Sequence, residues 1–150
     1  MKMLNLAWPL ALMFMWMLTL TNASSAQEAA TIQRQGITPE TLFIQDNVER
    51  IIYDYTQTDE MGLIKMHAPP EWTEPIIEAQ FEISGIVLQG VLGLEFEQGT
   101  QTIGLGQGFL IPQNTRVRIF NAGPDELILI EVLKPAYQPE RVEQFERFER

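Results

Sequence analysis

From Val48 onward the chain is written in short runs with frequent punctuation. RIIYDYTQ, MGLIKMH, PIIEAQFEIS, VLGLEF, GFLIP, TRVRIF and ELILIEVL are β-branched, aromatic or alternating, and DE, PPEW, EQGT, GQG, PQN and NAGPDE separate them. Many short strands at such spacing call for an antiparallel sandwich or barrel. No internal repeat of solenoid length competes with this reading, so the predicted fold class is all-β.

Two runs also report which way their side chains face. In IIEAQFEI the apolar set Ile77, Ala79, Phe81 and Ile83 alternates with Glu78, Gln80 and Glu82, which predicts one buried and one wet face. In TRVRIF, Val117 and Ile119 alternate with Arg116 and Arg118, so the arginines are expected on a sheet surface opposite Glu95, Glu97 or Glu131. LILIEVL is apolar on both faces, the pattern of a central strand covered on both sides. IGLGQG carries no Lys after its glycines and no helix to follow, so it reads as a hairpin turn rather than a phosphate loop.

Both flanks predict short helices. TPETLFIQDN offers Thr38 as an N-cap and Pro39 at the first helical position, enough for a turn or two. In the tail PAYQPERVEQFERFER, Val142, Phe145 and Phe148 are spaced by three, while Glu143/Arg147 and Glu146/Arg150 are spaced by four. That predicts one helix from Pro139, its apolar stripe lying on the barrel exterior or serving as an arm toward a partner subunit.

The first residues read as an export signal: Lys2, then the apolar LNLAWPLALMFMWMLTL, then TNASSA with small Ser24 and Ala26 before the expected cut. The alternative is an uncleaved membrane anchor, because the apolar run approaches the ~18 residues at which spanning becomes feasible. The expected layout is therefore a signal peptide over 1–26, a lead-in over 27–47, a barrel over 48–135 and a helix over 136–150. The expected destination is periplasmic or extracellular, with no membrane attachment after cleavage. With no cysteine, stability must come from a packed core even in an oxidising compartment. The net charge of −10 argues against nucleic acid and anionic lipid as partners.

Residues 75–133 carry a family resemblance. In GQGFLIPQNTRVRIFNAG, Gly106, Pro112 and Asn121 stand at places of the second cupin motif. Asn114 occupies the place of a turn glycine, where a left-handed backbone is needed. Gly90 in VLQG fits the glycine that closes the first motif. This segment resembles the cupin superfamily, small antiparallel jelly-roll β-barrels, and the resemblance implies that fold and homodimers. The departures matter as much: Val117 stands at the histidine place of the second motif. Ile77 with Ala79, or Ile76 with Glu78 in a longer register, stand at those of the first, and Ile83 stands at its glutamate.

A divalent ion needs three or four nitrogen, oxygen or sulfur donors at about 2.0–2.3 Å, which hydrocarbon cannot supply. With one histidine and no cysteine, a site would have to combine His67 with carboxylates such as Glu71, Glu74 or Glu78. The expectation is a metal-free barrel without a cofactor. Its lumen candidates are Ile77, Ala79, Phe81, Ile83, Val117 and Ile119, and its rim candidates Tyr53, Tyr55, His67, Trp72, Gln89 and Arg116. The loop PPEWTEP, which presents Trp72 between Glu71 and Glu74, reads either as a lid or as a crossover over the barrel end. The expected function is a small-molecule-binding or non-catalytic assembly module, with a small apolar or mixed ligand and a homodimer as candidate partners. The rival is a metal-independent isomerase, epimerase or lyase acting on a small sugar or acid, or an enzyme built on His67.

Overall fold

The computed structural model describes residues 36–45 and 49–148. The expected signal peptide lies outside these residues, as does most of the lead-in. Among the described residues, eleven strands form two antiparallel sheets. The larger contains β1 (Glu40–Ile44), β2 (Arg50–Asp54), β3 (Gly62–Ala68), β10 (Leu127–Lys134), β5 (Glu82–Gln89) and β8 (Gly108–Ile111), in that order. The smaller contains β11 (Val142–Phe145), β4 (Thr73–Ala79), β9 (Arg116–Asn121), β6 (Leu92–Phe96) and β7 (Gly99–Ile103). Consecutive strands repeatedly change sheets, which makes a jelly roll rather than a stack of hairpins.

The alternating run at Ile77–Ile83 turns a corner. It is two strands, β4 and β5, joined at Gln80–Phe81, so the chain leaves the small sheet for the large one within it. Alternation survives the corner: Ala79, Phe81 and Ile83 are buried between the sheets and Ile77 packs half-buried beside them. Val117 and Ile119 join the same core, with Val117 paired opposite Ile77. Each fully buried aliphatic side chain contributes about 1.5–3 kcal/mol, so this shared face is what holds the two sheets together.

Turn chemistry follows the sequence where a left-handed backbone is required. Asn114 has φ 58° and Gly90 has φ 78°. A side chain at Gly90 would in addition come within 2.7 Å of the Glu126 carbonyl.

Four expectations change. TLFI, expected as helix, is strand β1, paired along its length with β2. The tail makes only a 3₁₀ turn at Pro139–Arg141 and then becomes β11, which pairs with β4 from Val142↔Ala79 to Phe145↔Ile76. Residues three apart share a helix face but point to opposite faces of a strand. Val142 accordingly packs on the core, while Phe145 lies on the outside with the Arg116 guanidinium 3.9 Å from its ring centroid. The free edge of β4 supplied hydrogen bonds that an isolated short helix would have lacked. IGLGQG joins β7 to β8, two strands of different sheets, and is therefore a crossover turn rather than a hairpin. Finally, β10 is central as expected, but only its inward residues Leu127, Leu129, Glu131 and Leu133 are buried; Ile128, Ile130 and Val132 on the outer face are half-exposed.

Candidate functional site

A cavity of about 380 Å³ lies between the sheets, with walls contributed by β1, β2, β3, β4, β5, β9, β10 and β11. Most of its lining is aliphatic or aromatic: Leu42 and Ile44 from β1, Ile52, Ile64, Met66, Ile77, Phe81, Ile83, Ile119, Leu133 and Val142. Strand parity explains much of this: β1 turns Leu42 and Ile44 inward, β3 Ile64 and Met66, and β5 Ile83, whereas the inward set of β2 is Arg50, Ile52 and Asp54. Of the six lumen candidates, Ile77, Phe81, Ile83 and Ile119 line the cavity, whereas Ala79 and Val117 are buried in the adjoining solid core.

Into this apolar chamber the fold places one polar corner. Arg50, at the start of β2, reaches across to Glu74 on β4 with Nη2 2.7 Å from Oε1, a link between the two sheets. Both side chains are largely buried, and the Arg50 guanidinium stands 5.4 Å from the centroid of the Trp72 ring. Glu131 faces the same chamber from β10 and is 7% exposed. Burial raises its carboxyl from the ordinary 4.5 to about 7; the nearby Glu74 carboxylate adds to the rise and Arg50 opposes it. Among described residues Glu131 makes no side-chain hydrogen bond or ion pair within bonding distance. Asp54, Tyr137 and Gln144 complete the polar lining.

The rim candidates distribute differently. Trp72 is 2% exposed and belongs to the cavity wall rather than its rim. Its indole Nε1 is buried and has no hydrogen-bond partner among the described residues. The PPEW loop is the crossover of the two readings: it carries the chain from β3 to β4. The Asn121 amide pins it by donating to the carbonyls of Pro69 (3.0 Å) and, beyond the loop, Asp125 (2.8 Å). His67 and Tyr53 lie on the outward face of the large sheet, ring centroids 5.4 Å apart, with His67 Nδ1 3.4 Å from Glu126 Oε1. Tyr55 and Gln89 also lie off the cavity, the Gln89 side chain donating to the Glu126 carbonyl at 3.3 Å. Arg116 and Arg118 occupy the outer face of the small sheet as expected. Their partners are Glu78 (3.0 Å) and Glu95 (2.9 Å), while Glu131, one of the expected partners, is inside the barrel.

The cupin metal does not fit this chain. The matching places hold Ile77, Ala79, Ile83 and Val117, all hydrocarbon, and Glu78 of the longer register is on the outer face, paired with Arg116. His67 stands on the outer face, away from the lumen. Among the described residues no group of three or more His, Cys, Asp or Glu is arranged to hold an ion. The polar lining offers carboxyl groups, one of them already paired with a guanidinium, with the Tyr137 hydroxyl and the Gln144 amide, and no imidazole or thiolate.

Sequence reasoning passed over Arg50 and placed Glu131 on a sheet surface, whereas it lines the chamber. Glu131 left a signal: in LILIEVL it shares parity with Leu127, Leu129 and Leu133, an acid on an otherwise apolar face. Arg50 left none, because its inward direction depends on a pairing between distant strands.

No family model matches the chain. A curated relative, endoribonuclease YbeY of Myxococcus xanthus, is 35% identical over 85 residues, which is 57% of this chain. The chain spans only 29% of that protein's length. Solved structures are similar over most of the barrel. The polyketide cyclase RemF from Streptomyces resistomycificus has a TM-score of 0.55 at 17% identity, covering 69% of this chain and 83% of that one. An RmlC-like cupin from Shewanella frigidimarina has a TM-score of 0.57 at 14% identity, covering 66% and 87%. A conserved double-stranded β-helix protein from Klebsiella pneumoniae reaches 0.58 at 16%, covering 69% and 90%. Identities this low speak for the fold, and with the jelly-roll topology and the turns at Gly90, Gly106 and Asn114 they make the chain a divergent protein of the cupin fold.

Proposed function

We propose that the protein binds a small, predominantly apolar molecule inside its barrel and does so without a metal ion. The observation that carries this reading is the chamber itself: about 380 Å³ lined mostly by aliphatic and aromatic side chains, with a few polar groups gathered at one corner. Small-molecule sites are built this way, apolar for affinity and sparsely polar for orientation. An interior meant only as structural filling would close such a volume, because each unfilled cavity weakens a core. Export by residues 1–26 belongs to the same proposal and is tested by sequencing the mature N-terminus after fractionation. The endoribonuclease activity of the M. xanthus protein is not carried over, since the match leaves most of that protein uncovered and an acidic chain repels a polyanion.

The test is native mass spectrometry of the full chain purified under mild conditions, followed by thermal-shift titration with uncharged aromatic probes. Wild type is expected to carry a co-purifying small molecule or to gain melting temperature with 2-phenylethanol, and Ile83→Trp, which fills the chamber, is expected to abolish both. Identical behaviour of wild type and Ile83→Trp overturns the reading. Elemental analysis provides a second check: a stoichiometric transition metal contradicts the metal-free part.

Glu131 favours a second reading, a metal-independent isomerase, epimerase or lyase acting on a small sugar or acid. A carboxyl with a value of about 7 is poised to give and take a proton near neutral pH, which is what general acid–base catalysis needs. On that reading Glu131→Gln abolishes turnover and leaves binding in place. A substrate whose conversion survives Glu131→Gln removes the argument.

A further inference from the structure

We infer that the cavity ligand is a small organic amine with an apolar body, whose ammonium group pairs with the Glu131 carboxylate. The inference rests on the cavity-binding reading above and adds the charge of the ligand.

The charges inside the chamber do not balance. Among the described lining residues Arg50 is the sole cation, and it is engaged with Glu74 at 2.7 Å. Glu131 faces the same space with no hydrogen bond or ion pair among the described residues and with nine-tenths of its surface buried. Among the described residues its neighbours offer no second cation. The flanking strands β3 and β5 turn Ile64, Met66 and Ile83 toward it, while Lys65 and His67 stand on the opposite face. From β2 come Arg50 and Asp54, from β4 Glu74, from β11 the uncharged Gln144, and from the segment before it Tyr137. The chamber therefore holds three carboxyl groups and one guanidinium. Buried charges demand a partner, and a carboxyl that lacks one keeps its proton instead. A cationic ligand removes that compromise by supplying the missing counter-charge, while the apolar walls take up its hydrocarbon. An anionic ligand meets the reverse situation, because the guanidinium that would greet it is already committed.

Proton linkage makes the inference measurable on the wild-type protein. Binding an ammonium group requires the ionised carboxylate. With a value of about 7, the ionised fraction rises from about one in eleven at pH 6 to ten in eleven at pH 8. The affinity for 2-phenylethylamine, which remains protonated over this range, is thus expected to increase about tenfold between pH 6 and pH 8. Calorimetry at pH 7 in two buffers of different ionisation enthalpy should register about half a proton released per ligand bound. Glu131→Gln is expected to erase both the pH dependence and the proton release. Because wild type alone gives the profile, the test does not depend on that variant folding.

The comparison compounds are 2-phenylethanol and phenylacetate, matched in body and different in head group. Binding of 2-phenylethanol with equal or higher affinity than the amine, or an amine affinity that does not change with pH, overturns the amine inference and leaves the cavity reading standing. Tighter binding of phenylacetate reverses the charge assignment with the same consequence. Failure of all three probes to bind sinks both.

Discussion

The same two residue types, arginine and glutamate, meet on the outside of the small sheet and inside the barrel, and the outcomes differ. Outside, Arg116 faces Glu78 and Arg118 faces Glu95 across neighbouring strands, with a third or so of each side chain exposed. Each guanidinium has its carboxylate, water completes the solvation, and such pairs contribute only ~0–1 kcal/mol. Inside, one guanidinium serves Glu74 directly and Glu131 at longer range, and the water that would settle the difference is largely excluded. The lesson is that stoichiometry matters only where solvent is absent. A spare acid on the surface is unremarkable, whereas a spare acid in a barrel stores free energy that a proton or a ligand can release.

Arg50→Leu gives the largest expected effect. It removes the only cation among the described residues that line the chamber and leaves the carboxyl groups of Asp54, Glu74 and Glu131 there without one, which should cost about 3–5 kcal/mol at pH 8. Denaturant unfolding should show the deficit shrinking toward pH 5, as the carboxyls take up protons. A loss below about 1 kcal/mol at pH 8 would mean that interior and exterior pairs are equivalent, and the contrast would fail.

Next in size is Glu131→Gln. Its folded-state value of about 7 lies above the ordinary 4.5, so the native protein holds a proton that the unfolded chain has released between those two values. The contribution of this group to stability is highest below pH 4.5, declines as pH rises to 7, and is level above. Removing the charge should therefore stabilise the protein at pH 8, by up to about 3 kcal/mol, and have little effect at pH 4. Melting curves of wild type and variant at the two pH values check both the sign and the window.

A smaller contrast comes from placing one imidazole on each side of β9. Val117→His puts it in the solid core, at the place where the cupin pattern has its histidine. It should cost about 2 kcal/mol and still recruit no stoichiometric zinc, because the neighbouring places remain Ile77, Ala79 and Ile83. Arg118→His, one residue away on the wet face, should cost less than about 1 kcal/mol. Parallel urea titrations and elemental analysis of the two variants decide the matter. Zinc retained by Val117→His would show that the described donors are not the whole set.

Much of this contrast was open to a reader of the sequence, and the part that was not has a consistent cause. Alternation in IIEAQFEI and TRVRIF assigned Ile77, Phe81, Ile83 and Ile119 to the interior and Arg116 and Arg118 to the exterior, because a strand has a period of two whichever sheet it enters. That rule carried across the corner at Gln80–Phe81, which alternation alone does not reveal. The same reasoning stumbled at Val142 and Phe145. A spacing of three satisfies a helix stripe, and it also satisfies a strand with one residue in and one out. The free edge of β4 made the choice. TLFI failed likewise, taken into the sheet by pairing with β2.

What the sequence by itself determined is local and periodic: an all-β chain, the facing of most of its strands, the left-handed turn at Asn114, and hydrocarbon at the places where a metal site would need donors, Glu78 of the longer register excepted. Only the tertiary structure decided that Arg50, Glu74, Trp72 and Glu131, drawn from positions far apart along the chain, share one chamber, and that Ala79 and Val117 stand just outside it. The physical reason is that sequence patterns encode which side of a strand a residue takes. The field and solvation that a carboxyl such as Glu131 meets there depend on which strands, from which sheet, close around it.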